Sequence, residues 1–272
     1  MTQDAGSDRI SRSRFIMDLV VTIALIAAAG VVIWAHWPTR TPGIALPKDP
    51  VPLDDIATRG SADAKVVLLE YSDPECQYCG RFARDTLPLI DDTYVKTGQV
   101  RFAYRHLPAP RRAYAFPAAL AIECAGRQER FFEMHDLVFE DQTTLAASGL
   151  LARAERLGLD TAQFGACLKD AAVAAGIKRD SDSARELGIT STPTFLIGIV
   201  EMDGRVRFRE AVSGAMDFAT FRTVLDRAIR STNGWPSATL VVMTALLASS
   251  VATTARLIWR RRRRSDANIA RT

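Results

Sequence analysis

Two thiols stand three residues apart in Cys76-Gln77-Tyr78-Cys79, directly after the apolar run Val66 to Tyr71 and at the head of a helical pattern. This spacing brings both sulfurs within one helical turn. The pair can then close into a small disulfide or open into a dithiol with little backbone movement. A free thiol with a pKa near 8.5 is a weak nucleophile at neutral pH, whereas one at a helix N-terminus is acidified to about 3.5–7 by the open N–H groups and the helix dipole. Cys76 has that place. Cys79, in line with Phe82 and Ala83, is expected to be shielded and less acidic. The two thiols thus divide the work of thiol–disulfide exchange: Cys76 attacks or is attacked, and Cys79 resolves the mixed disulfide.

For Cys79 to act, its proton needs an acceptor. Glu70 is the candidate, because it lies inside the apolar first strand, where a carboxylate is costly without a role or a partner. The alternative is a side chain turned to solvent near the strand end. Asp73 and Glu75 suit a helix N-terminus but oppose a Cys76 thiolate. Tyr78 either contacts substrate or covers the thiols. Arg111 and Arg112, like Arg207 and Arg209, read as solvated faces. His36, His106 and His135 are too scattered for a metal site, and His135 among Phe131, Phe132 and Phe139 reads as helix packing. Two thiolates can hold Cu(I) or Zn, so a metal-binding or metal-delivery module is the rival class, but no second ligand pair of suitable spacing accompanies them. The exchange chemistry needs neither a metal nor a diffusible cofactor.

The elements that must position these residues follow from periodicity. Val66 to Ser72 is nearly continuously apolar, as in a strand buried on both faces. Cys79, Phe82, Ala83, Leu87 and Ile90 then recur at helical spacing, with Pro88 expected to bend the helix midway. Val100 to His106 predicts a second strand. From about 113 to 187 the pattern is wholly helical, with breaks expected near Gly126, Thr143-Thr144, Gly158 and Gly176. Thr194 to Met202 and Val206 to Val212 flank Asp203-Gly204, a hairpin signal, and a last helix runs from Asp217 to about Ser231. Strand-helix-strand, a helical block, then strand-strand-helix is an α/β layout: a thioredoxin fold with an inserted helical domain.

Ser191-Thr192-Pro193-Thr194-Phe195-Leu196 puts a proline at the entrance to a strand, where it can start but not continue a ladder. Three segments together resemble the DsbA-type thiol:disulfide oxidoreductases of the thioredoxin superfamily. They are Gly60 to Phe82, with its Glu-Tyr-Ser-Asp-Pro-Glu-Cys-x-Tyr-Cys core, Glu133-Met134-His135-Asp136, and Leu187 to Phe195. The resemblance covers roughly residues 54–230. It implies that Pro193 is cis and packs against the two cysteines, and that Thr192 offers main-chain hydrogen bonds to a bound substrate strand. It also implies an acidic proton relay at the position of Glu70, and a membrane-embedded, quinone-linked enzyme as reoxidant. Strongly oxidising members commonly have Pro-His or Pro-Tyr between the cysteines. Here Gln77-Tyr78 lacks the histidine charge that would stabilise the Cys76 thiolate, which weighs against a strongly oxidising pair; an oxidase is still expected from the resemblance, with a reductase or isomerase as the alternative.

Both chain ends carry candidate membrane spans. Residues 15–37 form an apolar run long enough for a bilayer, with a cleaved signal peptide as the alternative. Residues 236–259 form a weaker run, whose alternative is an interfacial helix. Arg9, Arg12 and Arg14 precede the first, and Arg256 and Arg260 to Arg264 close the second. Lys and Arg beside spans stay cytoplasmic, so both termini, 1–14 and the basic tail 260–272, are expected inside the cell. The proline-rich tether 38–55 and the domain 56–235 are expected on the non-cytoplasmic side of the cell's inner membrane. The net charge of +4 is carried by the ends, and residues 38–235 hold 25 basic against 27 acidic residues. Nucleic acid is therefore not an expected partner, and exported cysteine-containing proteins are. Outside the cytoplasm the two remaining cysteines, Cys124 and Cys167, are expected to pair as a structural disulfide, the alternative being two separate buried thiols.

Overall fold

The structure is a computed structural model and describes residues 20–30, 43–232 and Leu246. The chain divides into two compact units, one of residues Thr39–Gly234 and one made of Met1–Pro38 with Trp235–Thr272. In the latter, residues 20–30 form helix α1. Among the described residues no helix is long and apolar enough to cross a membrane. The rest of the 15–37 run, all of 236–259 except Leu246, and the tail 260–272 lie outside the described residues.

The larger unit is built on a mixed sheet of β1 (Ala57–Arg59), β2 (Val66–Ser72), β3 (Val100–His106), β4 (Thr194–Val200) and β5 (Val206–Ser213), in the order β1-β3-β2-β4-β5. β2 runs parallel to β3 and antiparallel to β4, and all seven of its residues are buried. Side chains alternate across a strand, so β2 divides its residues between two cores. Val66 and Leu68 face a core that holds both Cys76 and Cys79, whereas Val67, Leu69 and Tyr71 face the other side. β4 and β5 form the hairpin expected around Asp203-Gly204, with Gly204 at φ +81°, a conformation that glycine takes without steric cost.

The thiols head a long helical stretch. α2 (Gln77–Arg81) runs into a π-helical turn, Phe82–Thr86, then α3 (Leu87–Ile90) and a second π-helical turn, Asp91–Val95. The first widened turn falls just before Pro88, where a residue without an N–H must open the ladder. Phe82 locks this stretch to the sheet. Its ring centroid lies 4.5 Å from that of Phe195 on β4 and 5.3 Å from that of Phe221 on α9 (Phe218–Thr232).

The helical insert comprises α4 (Ala115–Gly126), α5 (Phe131–Glu140), α6 (Ala147–Arg156), α7 (Thr161–Cys167) and α8 (Ala171–Glu186), packed around a core of their own. The break expected at Gly176 is absent, and α8 runs through it. A single glycine costs only about 1 kcal/mol against alanine in a helix. The break falls instead at Asp170, whose side chain accepts from the Ala172 N–H and caps α8.

The tether expected over 38–55 is corrected from residue 43 onward. Ile44, Leu46, Val51 and Leu53 pack on the second core, and Val51 exchanges two backbone hydrogen bonds of 2.8 Å with Val206. Apolar residues set between the prolines give this segment something to bury, so it straps the domain and does not act as a free spacer.

Candidate active site

Cys76 sits at the N-cap of α2 and Cys79 one turn on. Both are reduced and buried, with Cys79 fully enclosed. The Thr192-Pro193 bond is cis, and the Cys76 thiol lies 3.5 Å from the Thr192 carbonyl oxygen. Glu70, two residues before the end of β2, faces the same core. The fold thus brings together the five residues singled out from the sequence for exchange chemistry: Cys76, Cys79, Glu70, Thr192 and Pro193.

Their electrostatics are polarised. Hydrogen bonding from Cys79 first, and then from the Thr192 side chain and the open N–H groups of Cys79 and Tyr78, outweighs burial and holds the Cys76 thiol down at about 4. Burial first, then the hydrogen bond to Cys76 and the charges of Glu70 and Cys76, pushes the Cys79 thiol far above the ordinary range. Burial also raises the Glu70 carboxyl to about 8, against a smaller opposing contribution from Ser72. At neutral pH the site therefore holds an anionic Cys76, a neutral Cys79 and a carboxyl that can give or take a proton close by. A leaving or attacking sulfur at Cys76 and a proton exchange at Cys79 are what the arrangement can do.

Two residues that shape the site carry no sequence signal. Arg112 was expected on a solvated face. Its guanidinium instead ion-pairs at 2.7 Å with the fully buried carboxylate of Asp73 and reaches the Cys76 sulfur. The loop Leu107 to Tyr114 is tied down at both ends, by the Ala109 N–H on Asp73 and the Tyr114 N–H on Glu75. Asp73 and Glu75 are thus engaged by loop donors, Arg112 among them, which tempers their repulsion of the thiolate. Gln142, on the loop after α5, donates to the carbonyls of Pro74 (2.8 Å) and Cys76 (2.9 Å) and clamps the insert to the active-site turn. A Cβ on Gly80 would meet the Gln142 amide, so a larger residue there would push this clamp aside. Tyr78 is half exposed beside the thiols, with the Arg81 guanidinium 5.3 Å from its ring centroid.

Cys124 and Cys167 are bonded at 2.04 Å across 43 residues of sequence, inside the core of the insert, away from the core that holds the thiols. A loop of that length gives a chain-entropy stabilisation of about 4 kcal/mol. The double variant Cys124→Ala/Cys167→Ala is expected to lose up to that much in urea unfolding while its exchange rate stays at the wild-type level. Among the described residues, no group of three or more His, Cys, Asp or Glu side chains converges as a metal site.

Residues 54–226 match the family model described as Thioredoxin. Among solved structures, alpha-DsbA1 of Wolbachia pipientis is 26% identical with a TM-score of 0.59, over 66% of this chain and 94% of that one. BdbD of Bacillus subtilis shares the fold at 20% identity with a TM-score of 0.58, over 68% of this chain and 99% of that one. A curated relative, the Na(+)/H(+) antiporter NhaA 3 of Salinispora tropica, is 40% identical over 149 residues, which make up 54% of this chain and 22% of that protein. The chain spans between 22% and 30% of the length of the first such relatives. A family match over the whole sheet and insert, together with a Cys-x-x-Cys helix facing a cis-proline, places the chain in the thioredoxin family as a DsbA-like member.

Proposed function

We propose that this protein is a membrane-anchored thiol:disulfide oxidoreductase that passes a disulfide from Cys76–Cys79 to exported proteins. The observation that carries this reading is the geometry of the pair, with Cys76 at the N-cap of α2 beside the cis Thr192-Pro193 bond and Cys79 fully enclosed one turn on, which holds the first thiol down and pushes the second up. A stable Cys76 thiolate favours the reduced form of the pair and so makes its disulfide oxidising. Arg112 supplies beside Cys76 the positive charge that Gln77-Tyr78 lacks. In this reading Cys76 is the exchanging thiol, Cys79 resolves, Glu70 holds the Cys79 proton, and Thr192-Pro193 receives the substrate strand.

The domain works on the non-cytoplasmic side of the inner membrane, with both termini in the cytoplasm and a quinone-linked membrane enzyme as reoxidant. Supporting this placement are the arginine clusters beside two apolar runs and the outward-facing Val20, Val21, Ile23, Leu25 and Ile26 of α1.

The test pairs insulin reduction with refolding of reduced ribonuclease, using the full chain in detergent and Cys76→Ser as control. Wild type is expected to speed ribonuclease oxidation more than insulin reduction, and Cys76→Ser to do neither. Wild-type failure in both assays would overturn the reading, and insulin reduction alone would reverse its direction.

A further inference from the structure

Behind Cys79 and its proton partner Glu70 lies a group of buried polar side chains, Ser72, Tyr104, His106 and His135, that the exchange step described so far does not use. In the β2–β3 register Glu70 pairs with Tyr104 and Ser72 with His106, and all four are almost fully buried on the thiol side of the sheet. The ring of Tyr104 is 5.0 Å from that of His106 and 4.9 Å from that of His135, centroid to centroid, and His135 comes from α5 of the insert. Five of their atoms, Glu70 Oε2, Ser72 Oγ, Tyr104 Oη, His106 Nδ1 and His135 Nε2, have no well-aligned hydrogen-bond partner among the described residues. The Ser72 hydroxyl is nevertheless close enough to act on both Glu70 and Tyr104. Buried polar atoms are rarely left unsatisfied, and ordered water is the usual partner where protein groups do not meet.

The outer nitrogen of each histidine is engaged. His106 Nε2 lies 3.1 Å from the Glu123 carboxylate on α4, and His135 Nδ1 lies 2.8 Å from that of Asp136. Those two carboxylates are 38% and 53% exposed, so each pair runs from the buried cluster to solvent.

We propose that Tyr104 links Glu70 to solvent through two histidine–carboxylate exits, His106–Glu123 and His135–Asp136, and so completes the proton path of Cys79. This inference rests on the exchange reading above. When a substrate thiolate attacks Cys76, a new sulfur–sulfur bond forms there, the Cys76–Cys79 bond breaks, and the electron pair leaves on the Cys79 sulfur. Glu70 gives that sulfur its proton. The Glu70 carboxylate is then reprotonated through the Tyr104 hydroxyl and bridging water, the phenol taking a proton from the histidine side as it gives its own. The proton is drawn from solvent at Glu123 or Asp136. When Cys79 is the attacking sulfur, the same path runs outward. The insert thereby supplies an exit residue to each branch, Glu123 from α4 and the His135–Asp136 pair from α5.

Tyr104 acts through Glu70, so its test must separate proton movement from structure. The oxidised full-length protein is mixed with a peptide dithiol, quenched in acid and alkylated, in H2O and D2O, at low and high imidazole. Tyr104→Phe removes one hydroxyl and keeps the ring that packs against His106 and His135, so it should keep the fold. It is expected to slow Cys79 release about tenfold at low buffer, a modest share of a general acid–base contribution. It should also enlarge the solvent isotope effect and recover with imidazole, while the alkylation profile of Cys76 stays put. The surface variant Glu123→Gln/Asp136→Asn should show the same pattern at smaller size. A wild-type rate and isotope effect in Tyr104→Phe, or a slow rate insensitive to both D2O and imidazole, overturns the relay. If wild type itself fails to exchange with the peptide, the functional reading falls first.

Discussion

Cys79→Ser is expected to stop turnover and to leave the protein joined to its substrate through Cys76, as a band that reductant removes. A serine hydroxyl at position 79 can still donate to Cys76, and the open N–H groups and Thr192 remain, so Cys76 still attacks a disulfide, but no second sulfur is left to displace the partner. Cys76→Ser is expected to stop turnover without forming the adduct. Cys79 is fully enclosed, and burial holds its thiol protonated, so it cannot take over the attack. Non-reducing electrophoresis after incubation with a disulfide-containing peptide distinguishes the two. An adduct in Cys76→Ser and none in Cys79→Ser would exchange the roles given to the sulfurs.

Arg112→Met is expected to cost about 3 kcal/mol of stability at pH 7, because it strands the buried Asp73 carboxylate without its ion partner. The size of the effect is set by the desolvated charge left behind and not by the worth of the pair itself. Its pH dependence has a definite sign. Burial already raises Asp73, and losing Arg112 raises it further, so more of the variant's Asp73 is protonated as the pH falls. The stability gap between variant and wild type should therefore narrow from pH 7 toward pH 5 in urea unfolding. The same change removes the cation beside Cys76, and the alkylation midpoint of that thiol should move up from about 4. Arg112→Lys should restore part of both. A gap that widens on acidification would contradict the buried-carboxylate explanation.

The elements that were legible from sequence share a reason. β2 is buried on both faces and reads as an unbroken apolar run, the β4–β5 hairpin is announced by Asp-Gly, and the two thiols declare a helix start. Glu70 could be noticed because a carboxylate inside such a run is anomalous. What was not legible depends on partners distant in sequence. β1 is three residues long and exists by pairing with β3, and residues 43–55 are held by β5 and by Leu187, the residue that follows α8. Arg112 and Gln142 lie in irregular loops, where no periodicity says which way a side chain points. The break at Asp170 was missed in favour of Gly176 because glycine is a louder signal than a cap.

The claim on which the rest depends is that Cys76 is a thiolate in the reduced protein and makes the pair oxidising. The reduction potential of Cys76–Cys79, measured against glutathione from pH 5 to 7, tests both halves together. Between about 4 and the much higher value of Cys79, reduction takes up two electrons and one proton, because only Cys79 is protonated. For a two-electron couple this means a slope of about 30 mV per pH unit, against about 59 mV if both thiols take up a proton. The account expects the shallower slope and a potential near −120 mV at pH 7, where a strongly oxidising pair lies. A slope near 59 mV with a potential near −270 mV, the poise of a reductase, would contradict it.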